Sequence, residues 1–173
     1  MLKTTANKIT LVRVILVPVY MALAYAGQMV AAFIVYVAAC LSDFADGYIA
    51  RNYNQVSDFG KFMDPLADKM LVVAAMCCFT DSGQLPGWVV AVVVFREFAV
   101  SGLRLIAVEK GRVIAAARSG KIKTFCTMIC LGAMMIFPES HFLSTLSCIL
   151  ILTTTLVSGA EYFIRNRDVF NAE

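Results

Sequence analysis

Ser42-Asp43-Phe44-Ala45-Asp46-Gly47-Tyr48-Ile49-Ala50-Arg51, followed by Gly60-Lys61-Phe62-Met63-Asp64-Pro65-Leu66-Ala67-Asp68, is the stretch that decides how this chain is read. As a pattern it is D-x2-D-G-x2-A-R-x8-G-x3-D-x3-D. Its four aspartates, Asp43, Asp46, Asp64 and Asp68, stand in a chain that is otherwise nearly all hydrocarbon. Carboxylates are costly to keep in an apolar medium, so four together point to bound metal ions and to chemistry on a phosphate.

The surroundings set the fold class. The chain has 173 residues, 60% of them hydrophobic and 16% charged, with a mean hydropathy of +0.78. That is too apolar for a water-soluble domain, so the expectation is an all-α integral membrane protein. No low-complexity tract or fixed-period repeat is visible, and residues 1–173 read as a single membrane domain. Lys3 and Lys8 precede an apolar run in the manner of a secretory signal, but no small-residue cleavage pattern follows, so this run reads as a retained first span. The six cysteines, Cys40, Cys77, Cys78, Cys126, Cys130 and Cys148, lie inside apolar runs and read as packing thiols. His141, beside Glu139 and Ser140, reads as a solvated turn residue.

A helix crossing the hydrocarbon core needs about 20 apolar residues. Six such runs are expected near 10–26, 31–51, 61–80, 86–109, 122–137 and 142–164, giving six transmembrane helices. The connections at Gly27-Gln28, Asp81 to Pro86 and Pro138 to His141 contain no Lys or Arg. The other side collects Lys3, Lys8, Arg51, Lys61, Lys110, Arg112, Arg118, Lys121, Lys123, Arg165 and Arg167. The positive-inside rule then places both termini in the cytoplasm, with the aspartates at the cytoplasmic interface of a cytoplasmic (inner) membrane.

Each helical residue turns its side chain by about 100°, so Asp43, Asp46, Gly47 and Ala50 share one face. Two hard oxygen donors stand beside two minimal side chains that leave room for a bulky group. Gly60, Asp64 and Asp68, spaced by four, fall along one side of the next helix, although Asp64-Pro65 favours a helix that begins near Asp64 instead of Gly60. Two divalent ions about 4 Å apart clamp the oxygens of a transferring phosphoryl group, and four acids are a natural set for such a pair. The competing reading pairs the acids with Lys61, Lys69 and Arg51 in structural salt bridges, which leaves too few bases and does not explain the interleaved Gly and Ala.

With these residues in place, the sequence resembles the CDP-alcohol phosphotransferases, whose signature is this aspartate, glycine, alanine and arginine pattern. The resemblance implies a six-helix membrane domain, usually a homodimer. It implies transfer of a substituted phosphoryl group from a CDP-linked donor to an alcohol, with release of CMP and with Mg²⁺ or Mn²⁺ as two divalent ions per site. Carried over by position, Asp43, Asp46 and Asp64 are metal ligands, and Asp68 is the general base that also approaches a metal. Gly47 and Ala50 border the cytidine, Gly60 belongs to the CDP-binding set, and Arg51 contacts phosphate. The family's early Asn-x-x-Thr-x-x-Arg element is present as Asn7, Thr10 and Arg13, with Ala6 where a proline is expected, and implies a helix face that helps to hold the CDP moiety. Helix capping explains Asn7 and Thr10 equally well.

The aspartates are silent about the acceptor alcohol. Arg96-Glu97, Ser101-Gly102-Leu103-Arg104 and Gly120-Lys121-Ile122-Lys123-Thr124 resemble elements of the phosphatidylglycerophosphate synthases, which implies CDP-diacylglycerol as donor and sn-glycerol 3-phosphate as acceptor. A phosphate dianion wants fixed cations, and Arg104, Lys121 and Lys123 with Thr124 and Arg118 are the candidates. A solvated loop touching lipid headgroups explains Arg118 and Arg112 as well. Arg96 and Glu97 are expected to face the bundle interior and not to form only a mutual pair. Other acceptors, inositol phosphate or phosphatidylglycerol, fit the same motif. A divalent-cation transporter is the alternative outside the family, but its acids belong near the bilayer midplane between repeated halves.

Overall fold

The computed structural model describes the backbone of residues 5–52, 58–111, 114 and 117–169, and the side chains of 11–42, 69–111, 114 and 117–169. Among these, all regular structure is helical. The elements are α1 (Thr5–Tyr25), α2 (Met29–Asn52), α3 (Asp58–Asp81), α4 (Gly87–Glu109), α5 (Arg118–Ile136) and α6 (His141–Arg165), followed by a 3-10 turn at Arg167–Val169. Each apolar run of the sequence falls on one helix, with only residues 26, 86 and 137 lying just outside. The helices extend further than the runs at their charged ends, α1 starting at Thr5 and α5 at Arg118, because backbone hydrogen bonding continues into residues that hydropathy excludes. One expectation is corrected: α3 begins at Asp58, so Pro65 lies inside the helix and Gly60, Asp64 and Asp68 share it. A proline removes one ladder hydrogen bond, a defect that neighbouring helices absorb in apolar bundles. Pro18 sits inside α1 in the same way.

Glycines close the turns at one end of the bundle. Gly27 has φ of 75° and lets Gln28 N donate to Leu23 O (3.0 Å) while its own N–H reaches Ala24 O (3.1 Å). Gly83 repeats this after α3, with Gln84 N bonded to Phe79 O at 2.9 Å. Both satisfy helix-end carbonyls through a left-handed residue that a Cβ would strain.

Helix α1 packs on α2 and α3, α5 on α6 and α2, and α4 on α6. The main core includes Tyr20, Tyr36, Met76, Phe79, Val89, Val93, Leu131, Met134 and Ile151. A second cluster, Val100, Leu103, Ala107, Tyr162 and Val169, closes the other end of α4. Hydroxyls in the helices mostly bond back to their own turn, as Thr127 to Lys123 O (2.9 Å) and Thr154 to Leu150 O (2.7 Å). That is what an apolar surrounding demands of a polar side chain. Helices α5 and α6 are long and apolar enough to cross a membrane by length and composition.

Candidate functional site

Helix α2 ends, and α3 begins, with the aspartate pattern. Asp43, Asp46, Gly47, Ala50 and Arg51 fall in the last turns of α2, and Gly60, Asp64 and Asp68 in the first turns of α3. Their side chains, and those of Asn7 and Thr10, lie outside the described residues. The two residues that border the pattern are described. Arg13 on α1 is buried, at 1% exposure, and its Nε donates to Ser42 Oγ at 3.3 Å. Ser42, next to Asp43, in turn donates to Ala39 O at 2.7 Å. A buried guanidinium therefore ties α1 to α2 where the acids begin.

Lys69, next to Asp68, bears on the salt-bridge alternative. Its Nζ donates to Ser101 Oγ at 2.9 Å and lies 3.4 Å from Glu97 Oε2. One of the three bases proposed as partners for the acids is thus engaged with α4 instead. Hard oxygen donors at helical spacing on two consecutive helices fit a pair of divalent ions. Among the described residues no group of three His, Cys, Asp or Glu side chains is placed to hold a metal.

The acceptor candidates divide into two places. Lys123 is buried on α5, and its Nζ donates to Glu97 Oε1 at 2.7 Å. Arg96 Nη1 donates to the same oxygen at 2.9 Å. Adjacent residues on a helix diverge at Cβ, but the long arginine curls back to its neighbour, so the expectation of more than a mutual pair is met by Lys123 and Lys69. Arg104 lies one cluster away, where its Nε donates to Tyr162 OH at 2.9 Å and its guanidinium carbon stands 5.4 Å from the Tyr162 ring centroid. Lys121 and Arg118 are exposed. Thr124 Oγ1 donates to Gly120 O at 3.1 Å, within its own helix.

The sequence singled out Arg96 and Glu97 without a role, named Ser101 only within the Ser101–Arg104 element and Lys69 only as a partner for the acids, and did not point to Tyr162. Ser101 stands one turn after Glu97, a spacing that was legible; the reach of Lys69 across to α4 was not. Gly159 held a further signal. A Cβ there would meet Arg96 Cγ at 3.2 Å, and one at Gly120 would meet Arg96 Nη2 at 3.6 Å. Small residues inside apolar helices mark such close approaches.

A family model described as CDP-alcohol phosphatidyltransferase matches residues 3–162. The chain belongs to that family. Among curated CDP-alcohol phosphatidyltransferases it is similar to the CDP-diacylglycerol–glycerol-3-phosphate 3-phosphatidyltransferase of Bacillus subtilis, at 39% identity over 180 residues, covering 92% of this chain and 93% of the relative. A protein of Mycobacterium tuberculosis named probable phosphatidylglycerophosphate synthase is 36% identical, covering 95% of this chain and 82% of the relative. A Rickettsia typhi protein with the same name as the Bacillus enzyme is 30% identical, covering 94% and 96%.

Proposed function

We propose that this chain is a phosphatidylglycerophosphate synthase, an enzyme of phospholipid biosynthesis that transfers the phosphatidyl group of CDP-diacylglycerol to sn-glycerol 3-phosphate and releases CMP. The observation that carries this reading is the complete aspartate pattern over Asp43 to Asp68 in a chain whose full-length relatives bear that activity in their names. Asp43, Asp46, Asp64 and Asp68 would hold two divalent ions, Mg²⁺ or Mn²⁺, which when bound neutralise the diphosphate of the donor. Asp68 accepts the proton of the acceptor's primary hydroxyl, whose oxygen attacks the β-phosphorus in line, and CMP leaves. Asn7, Thr10, Arg13, Gly47, Ala50, Arg51 and Gly60 border the CDP moiety. Lys123, Arg104, Lys121, Thr124 and Arg118 serve the acceptor phosphate. Support for a dianionic acceptor comes from the cluster at Glu97, where three cations meet one carboxylate.

The reading places one domain of six spans in the cytoplasmic membrane, as a homodimer by resemblance to the family, with both termini and the site on the cytoplasmic side. The asymmetry of Lys and Arg among the connections supports this, as does the exposed Trp88 at the end without Lys or Arg, where an amphipathic ring favours an interface.

The test is CMP release from CDP-diacylglycerol by purified protein against glycerol 3-phosphate, inositol phosphate and phosphatidylglycerol. Release is expected with glycerol 3-phosphate alone and is lost on chelation of divalent ions. Asp68→Asn is expected to lower turnover by about a hundredfold or more. Normal turnover in that variant removes the base assignment, and release with another acceptor reassigns the alcohol.

A further inference from the structure

Three cations from three helices end on Glu97, which the proposed chemistry leaves without a part. Lys69 comes from α3 at 3.4 Å, Arg96 from α4 itself at 2.9 Å and Lys123 from α5 at 2.7 Å. Their side chains are 38%, 12% and 5% exposed, and that of Glu97 is 18% exposed. The cluster lies along α4 between Val93 of the main core and Val100 of the second.

A brace between helices needs one cation for one carboxylate. Among the described residues two positive charges are left over, and the Arg96 and Lys123 side chains are largely buried, an arrangement unfavourable for folding alone because a buried charge without its own counter-ion is costly. The carboxylate also divides its oxygens, Oε1 taking Arg96 and Lys123 while Oε2 faces Lys69. Among the described residues, Arg96 Nε and Ser119 Oγ are buried without a hydrogen-bond partner, and Ser119 precedes Gly120, where a Cβ would stand 3.6 Å from Arg96 Nη2. Ser119 lies in the opening turn of α5, whose N-cap, Ala117, supplies no side-chain cap. Without Glu97 the three ammonium and guanidinium groups would repel one another and separate.

We infer that Glu97 is a positioning residue for the acceptor: its carboxylate holds Lys123 and Arg96 together as the cation pair presented to the acceptor's phosphate, and through Lys69 it ties that pair to the helix bearing Asp64 and Asp68. Glu97 thereby sets both the place of the cations and the net charge of two that matches a phosphate dianion. This rests on the reading of the chain as a transferase acting on a phosphorylated alcohol.

Steady-state kinetics of the full-length protein with both substrates varied test it. Glu97→Gln is expected to raise the KM for glycerol 3-phosphate roughly ten- to a hundredfold, the effect of losing a hydrogen bond to a charged group. The KM for CDP-diacylglycerol stays unchanged. Glu97→Asp, which keeps the charge and shortens the reach, is expected to raise the acceptor KM by less while keeping the melting temperature of the wild type. A role confined to bracing would lower the active fraction, and so kcat, at unchanged KM. The inference is overturned if the acceptor KM is unchanged in the variants, judged on Glu97→Asp should Glu97→Gln not fold, or if both KM values rise in parallel. Wild-type protein that releases no CMP with glycerol 3-phosphate overturns the functional reading and the inference with it. Normal wild-type turnover with unaltered acceptor KM in the variants overturns the inference alone.

Discussion

Arg96 reaches Glu97 past a residue that has no side chain. A Cβ on Gly159 would stand 3.2 Å from Arg96 Cγ and 3.9 Å from its Nε, whereas a Cβ on Gly102 meets nothing within 4 Å. Both glycines lie inside helices, so replacement by alanine gains up to about 1 kcal/mol of helix propensity at either. At Gly159 the added methyl must displace an arginine pinned by Glu97, and overpacking of this kind costs about 1–3 kcal/mol. Gly102→Ala is therefore expected to match or exceed the wild type in thermal unfolding, and Gly159→Ala to fall below it. Equal midpoints for the two variants would show that Arg96 yields freely. Lys123 and Lys121 make the same point in another way: two residues apart on α5, one is buried on Glu97 and the other exposed, so a motif that names both does not say which meets an anion.

At the scale of elements, the helix ends at the connections without Lys or Arg were more legible than the others. Gly27 and Gly83 stop α1 and α3 through left-handed turns, and Ser140 starts α6 by accepting a hydrogen bond from Leu143 N at 3.3 Å. Removing that cap by Ser140→Ala is expected to cost about 1 kcal/mol, read as a lower melting temperature with CMP release unchanged, because the turn lies at the far end of the bundle from the aspartates. The charged ends of α1 and α5 were less legible. Hydropathy ends at the last apolar residue, while the hydrogen-bond ladder runs on, and in α3 it runs through Pro65. The last element, Arg167–Val169, was not anticipated at all: Val169 is buried against α4 and α6, and Lys110 Nζ donates to its carbonyl at 2.9 Å.

For the whole molecule, the connections at one end of the bundle are rich in Lys and Arg and those at the other contain none, and the orientation proposed for it can be measured. In a cysteine-free background, Glu139→Cys is expected to react with a membrane-impermeant maleimide on intact cells, and Glu109→Cys only after the membrane is opened. The reverse pattern would invert the topology. What the sequence by itself determined is the helical, apolar character of the chain, the places of the six described helices and, through the spacing of Asp43 to Asp68, its family. These are short-range properties, set by hydropathy over one helix and by residues a turn or two apart. What only the tertiary structure decided is which charges meet. Lys123 and Glu97 are 26 residues apart and Lys69 and Ser101 are 32 apart, each pair on different helices. Long cationic side chains have many partners within reach of their flexible stems, and the packing of α3, α4 and α5 around Glu97 selects among them.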